Sequence, residues 1–159
     1  MSYFVSYSVN DIMGIHTEIL KLSHEEKMDG VLNIGSLEMA VEAPERVVFG
    51  REICPDVVSK ISTLMYEIIT LHPFIEGNKR TGFTVADTLM LHNHRRIVAS
   101  NEEKIAISLG VAKLQIERDE LTEWIRNNSE GMTVTLKQRG NFNRCALNNR
   151  YRRERVIIR

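Results

Sequence analysis

The stretch PDVVSKISTLMYEIITLHPFIEGNKRTGFTVADTLML, residues 55–91, decides the fold. Its first half is helical by spacing. Val57, Val58, Ile61, Leu64, Met65, Ile68 and Ile69 form one wide apolar stripe, as a central core helix requires. Pro55 suits the first turn of that helix and Pro73 stops it. A second helix is predicted from about Asn78 to Leu91, with Val85, Ala86, Leu89 and Met90 facing inward and Asn93-His94 as its C-terminal turn. Two core helices are thus joined by one short, polar loop.

Helical periodicity continues on both sides. Ile12, Ile15, Ile19 and Leu22 mark a helix from about Val9 to Leu22 that Ser8 or Asn10 can cap. A loop through Gly30 and Gly35 leads to a short helix opened by Ser36 and ending before Pro44; residues 46–52 read as extended or irregular. Ser100 and Glu103 form a capping box for a helix through about Lys113. The last helix spans Arg118 to Asn127, with Leu121, Trp124 and Ile125 on its buried side. Little strand signal precedes residue 132, so the body is expected to be all-α. Beyond Gly131, Met132-Thr-Val-Thr-Leu-Lys137 alternates apolar and polar residues in a strand period.

The loop concentrates chemistry. A helix N-terminus offers unpaired N–H groups and a positive dipole end, so it attracts anions. Gly77 and Asn78 stand where such a terminus begins, and Lys79 and Arg80 add positive charge in its first turn. Cations are misplaced at that end of a helix unless an anion such as a polyphosphate lies between them and the dipole. Glu76 offers one carboxylate, and Mg²⁺ is commonly held by one carboxylate, phosphate oxygens and water. His72 is the nearby side chain able to accept a proton at neutral pH. Base, metal ligand, phosphate cradle and charge clamp are the parts of phosphoryl or nucleotidyl transfer. Taken singly, each has a bland reading: a capping His, a Glu paired with a dipole, a solvated Lys-Arg pair. Their combination within one loop argues for function.

The run His72-Pro-Phe-Ile-Glu-Gly-Asn-Lys-Arg80 resembles the Fic/Doc signature H-x-F-x-(D/E)-(G/A)-N-(G/K)-R. Asp11 to His16, Gly30 to Pro44, and Glu117 to Ile125 resemble the opening helix, the middle segment and the closing Trp helix of death-on-curing (Doc) members. The resemblance covers about residues 8–128. It implies an all-α Fic/Doc-type helical bundle with a short flap, a Fic/Doc domain over residues 1–131, and a basic extension over 132–159. It implies that His72 deprotonates a target hydroxyl and that Phe74 anchors the loop. Glu76 would bind Mg²⁺, and Gly77 and Asn78 would form an anion hole from backbone and side-chain donors. Lys79 and Arg80 would hold the phosphates of ATP.

AMP-transferring relatives usually carry Gly at the position of Lys79 and a second Arg at the position of Phe83. Both departures resemble the Doc branch, whose founder phosphorylates a threonine of a translation elongation factor. A Lys in place of that Gly fills the deep end of the cradle, so the nucleotide can bind reversed and present its γ-phosphate. The implied activity is a Doc-like toxin transferring phosphate from ATP to a Ser, Thr or Tyr hydroxyl of a protein. AMP transfer and a non-catalytic Fic-fold binding protein stay open as alternatives. Some relatives are inhibited in cis by a helix with Ser/Thr four residues before Glu-Gly or Glu-Asn. Before Glu76-Gly77 and Glu130-Gly131 those positions hold His72 and Arg126, which favours control by a separate antitoxin. His16 reads as structural or supporting.

Composition narrows the rest. The chain has 159 residues, with 21 basic and 21 acidic side chains. Residues 133–159 hold 8 of the basic groups and one acidic group, net +7, which leaves the body at −7. The tail, with Phe142 and Tyr151 among its arginines, can meet an acidic protein surface or nucleic acid. Cys54 and Cys145 make neither a disulfide framework nor a zinc site. The N-terminus lacks a signal peptide's basic and apolar regions, and no apolar run spans a bilayer, so a cytoplasmic protein without membrane contact is expected.

Overall fold

The computed structural model describes residues 4–23 and 30–132. Among these, six α-helices make up the body: α1 (Val9–Leu22), α2 (Ile34–Glu42), α3 (Val57–Leu71), α4 (Asn78–His92), α5 (Asn101–Ala112) and α6 (Arg118–Asn127). The expectation of a helical body holds. Helix ends follow local chemistry. Reciprocal capping boxes start α1 (Ser8 with Asp11), α3 (Asp56 with Ser59) and α5 (Ser100 with Glu103).

The expected central helix is central. Ile61, Met65, Ile68 and Ile69 of α3 are fully buried; α2, α4, α5 and α6 gather around it, and α1 packs on α4 and α2. Leu121 and Ile125 bring α6 onto α3, where Ser62 Oγ and Thr122 Oγ1 share a hydrogen bond of 2.6 Å. α4 lies closest. A Cβ on Gly82 would stand 2.7 Å from Ile69 Cγ1 and 3.2 Å from the Met65 carbonyl oxygen, so the two backbones approach only because residue 82 has no side chain. At the far end of α3, Arg126 Nη2 donates to Asp56 Oδ2 at 3.1 Å.

Several local expectations need correction. α2 starts at Ile34, two residues before Ser36, because the Asn33 side chain accepts from the Ser36 amide. The end of α2, at Glu42, does precede Pro44 as expected, and Pro44 then sits in a 3-10 turn, Ala43–Glu45. Asp56, not Pro55, opens α3. Strands also occur before residue 132. β1 (Val47–Val48) and β2 (Arg51–Glu52) pair antiparallel, Val47 opposite Glu52. Their turn, Phe49-Gly50, has φ of 49° and 72°, the doubly positive pattern that matches hairpin twist. Buried Lys60 of α3 pairs with Glu45 at 2.9 Å and Glu52 at 3.9 Å, which moors this hairpin to the core. β3 (Arg95–Ile97) pairs with β4 (Ser129–Gly131), so pairing begins upstream of the expected strand. Thr133–Lys137, Cys145 and the whole basic extension lie outside the described residues. Cys54 is buried beside Thr63 Oγ1 at 3.2 Å. Among the described residues, no helix is long and apolar enough to cross a membrane.

Candidate active site

The loop between α3 and α4 is held from three sides. Its backbone pairs with the segment before α2: the Leu32 and Asn33 amides donate to the Pro73 carbonyl at 2.8 and 3.1 Å, and the Ile75 amide donates to the Gly30 carbonyl at 3.1 Å. Val31 and Phe74 face each other across this short antiparallel bridge. The second hold is Asn78. The Phe74 amide donates to Asn78 Oδ1 at 3.0 Å, and Asn78 Nδ2 donates to the Phe74 carbonyl at 2.9 Å. The third is the Phe74 ring itself, 1% exposed and seated in the core as the resemblance implied.

This clasp fixes two residues in left-handed backbone. His72 ends α3 at φ 49°, ψ 54°, and Gly77 precedes α4 at φ 75°, ψ 8°. The αL conformation terminates α3 and turns the chain at His72, whose side chain stays exposed. A non-glycine residue there is strained by about 1–2 kcal/mol, and such strain gathers at functional sites. Gly77 adopts its own positive φ without that cost.

The first turn of α4 has no side-chain cap. By contrast, α1, α3, α5 and α6 carry capping boxes and Asn33 caps α2. The first-turn N–H groups of α4 thus lack a side-chain acceptor, and they adjoin exposed Glu76 and Lys79 and half-buried Arg80. Neither Lys79 nor Arg80 forms an ion pair among the described residues. Uncapped amides, a positive helix end and two cations without ion-pair partners are the parts an anion cradle requires. The Asn78 side chain differs from its expected part. It is 8% exposed and braces Phe74, which leaves the backbone amides as the cradle's main donors.

Glu76 can be tested as a metal ligand. No cluster of three or more His, Cys, Asp or Glu side chains exists among the described residues, so no cage made only of protein ligands is present there. A single exposed carboxylate beside an anion cradle suits a cation shared with phosphate oxygens and water, the coordination Mg²⁺ prefers. Phe83, one turn beyond Arg80, is 3% exposed and faces the core with Lys104 Nζ 5.9 Å from its ring centre. That position is spent on packing.

Helices around a central core helix, with a clasped loop that ends on an uncapped helix N-terminus, give a candidate anion site on an α-helical scaffold. The Fic/DOC family model matches residues 6–90, more than half of the chain, and the chain belongs to the Fic/DOC family. It is also similar to the protein named Toxin Doc of Mycolicibacterium smegmatis, at 30% identity over 69 residues, covering 43% of this chain and 53% of that protein. The chain thus spans about half the length of the curated relative it matches.

Sequence reading missed two supports of this site, the clasp by Gly30–Asn33 and the brace by Asn78, and took His16 as structural or supporting without placing it beneath the loop. The two missed supports had no periodic signal. His16 had one, because it falls on the buried stripe of α1 beside Ile12, Ile15 and Ile19, where a polar residue asks for a partner.

Proposed function

We propose that the chain is a Doc-like toxin that transfers the γ-phosphoryl group of ATP to a Ser, Thr or Tyr hydroxyl of a protein. The observation that carries this reading is the uncapped N-terminus of α4 with Lys79 and Arg80 beside it and exposed His72 across the loop. In this reading His72 accepts the hydroxyl proton as the oxygen attacks the γ-phosphorus. The bond to the β–γ bridging oxygen breaks, and ADP leaves. The α4 amides, Lys79 and Arg80 hold the phosphates and balance their charge, with the Gly77 and Asn78 backbone at the centre of the cradle. Glu76 would hold Mg²⁺, which supplies further charge neutralisation when bound.

Buried Phe83 favours phosphoryl over AMP transfer, because the position of the second arginine of AMP-transferring relatives is part of the core. The relative named Toxin Doc supports the reading as a toxin; action on a protein in the cytoplasm and silencing by a separate antitoxin are part of the proposal. The experiment is incubation of the chain with cell lysate and ATP labelled on the γ-phosphate or on adenine. Label on protein from γ alone, lost in His72→Ala, is the expected result. Adenine label refutes phosphoryl transfer in favour of AMP transfer, and no transfer of either label favours a binding protein.

A further inference from the structure

His16 lies 65 residues before Thr81 in sequence but directly beneath the loop. It is 2% exposed, on a helix face otherwise filled by Ile12, Ile15, Ile19 and Leu20. Burying an imidazole among aliphatic neighbours costs free energy that an isoleucine would not. The contacts it makes give the reason for it. Its ring stacks on Phe74, with centroids 3.9 Å apart and planes 12° from parallel. Its Nδ1 shares a hydrogen bond of 2.9 Å with Thr81 Oγ1. Its Cε1 lies 3.5 Å from where a Cβ on Gly77 would stand.

One rigid ring therefore meets three separated positions of the same segment: Phe74 in the loop, Gly77 at its end, and Thr81 in the first turn of α4. Thr81 is fully buried, and its amide donates to the Gly77 carbonyl at 2.8 Å. Between these fixed points lie Glu76 and the cradle amides, which no side chain caps.

We propose that His16 is a positioning residue of the candidate active site. It locks the loop to the start of α4 and so fixes the direction of Glu76 and of the phosphate-facing amides, without touching substrate. The stack on Phe74 sets the height of the loop. The bond to Thr81 sets the rotation of α4's first turn relative to α1. This inference rests on the reading of the loop as a transfer site.

The test compares the full chain with His16→Phe, Thr81→Val, the double substitution and Thr81→Ser. His16→Phe keeps an aromatic ring on Phe74 and loses the bond to Thr81. Thr81→Val loses the same bond from the other side, and Thr81→Ser keeps it. Amide hydrogen exchange is read over residues 72–81 and over α6 as a distant reference, with γ-label transfer measured against ATP concentration.

We expect loop exchange about tenfold faster in His16→Phe and in Thr81→Val, no further gain in the double variant, and recovery in Thr81→Ser. Exchange in α6 stays within about twofold. The transfer rate falls about tenfold at an unchanged ATP KM, because misorientation weakens the transition state more than nucleotide binding. Unchanged loop exchange, an equal rise in α6, or additive effects in the double variant would overturn the proposal. If the wild-type chain transfers neither label, the function proposed above fails, and the exchange comparison still decides whether His16 holds the loop. If His16→Phe does not fold, Thr81→Val against Thr81→Ser decides it.

Discussion

Asn78→Ala opens the clasp that shapes the loop. Two hydrogen bonds disappear, one of 3.0 Å from the Phe74 amide and one of 2.9 Å to the Phe74 carbonyl. Each is worth about 1 kcal/mol net. The loss is larger than their sum, because Phe74 is 1% exposed and both of its backbone groups are left in the core. Its bridge to Val31 does not rescue them, since the bonds of that bridge run through Pro73 and Ile75. A stranded buried backbone group costs about 1–3 kcal/mol, so the two together cost about 4 kcal/mol, within a range of about 2–6. For a folded body of this size, that lowers the melting temperature by about 10 °C. The control is Asn33→Ala, an exposed N-cap whose loss costs about 1 kcal/mol. Chemical denaturation of both variants is the assay. If Asn78→Ala costs no more than Asn33→Ala, Asn78 does not hold the loop and the account of the clasp is wrong.

Other perturbations separate function from stability. His72→Gly abolishes transfer yet raises stability by up to about 1 kcal/mol, because glycine takes the φ of 49° without strain; loss of both in thermal melts and label transfer would show that the ring packs. Gly14→Ala and Gly82→Ala move in opposite directions. The first has nothing within 4 Å of the new methyl and stabilises α1 by about 0.5–1 kcal/mol, whereas the second drives a methyl to 2.7 Å from Ile69 Cγ1 and costs about 1–3 kcal/mol. Melting curves of the two variants check both signs. Burial alone would raise the Asp56 carboxyl pKa, but the Ser59 amide and the Arg126 guanidinium outweigh it and hold it below its ordinary value. A carboxyl depressed in the folded state contributes stability that is complete above its unfolded pKa and lost as pH falls through the folded one. Between about pH 5 and pH 3 the wild-type melting temperature therefore falls more steeply than that of Asp56→Asn, and parallel slopes would refute the coupling.

Much of this protein is local physics, and local physics is readable. The stripe of α3, the Ser100–Glu103 box and the limits of α6 depend on residues within a few positions of one another, and the structure keeps all three. The hairpin was missed although X-Gly between Val47-Val48 and Arg51-Glu52 is a turn signal. Strands of two residues are too short to show a period. The start of α2 was misplaced because Asn33 and Ser36 are both good caps, and only the folded chain shows which side chain reaches which amide.

The sequence by itself determined that this is a helical body around α3, with an imidazole, a carboxylate and two cations in one loop. Contiguity alone places His72, Glu76, Lys79 and Arg80 together. Tertiary structure decided what makes that loop a site. It left α4 uncapped, spent Phe83 on the core, turned Asn78 inward onto Phe74, and slid His16 of α1 beneath Phe74, Gly77 and Thr81. These choices join residues far apart in the chain or pick one of several partners for a polar side chain. Such outcomes follow from packing, where every buried polar group must find its partner, and no spacing rule reports which partner that is.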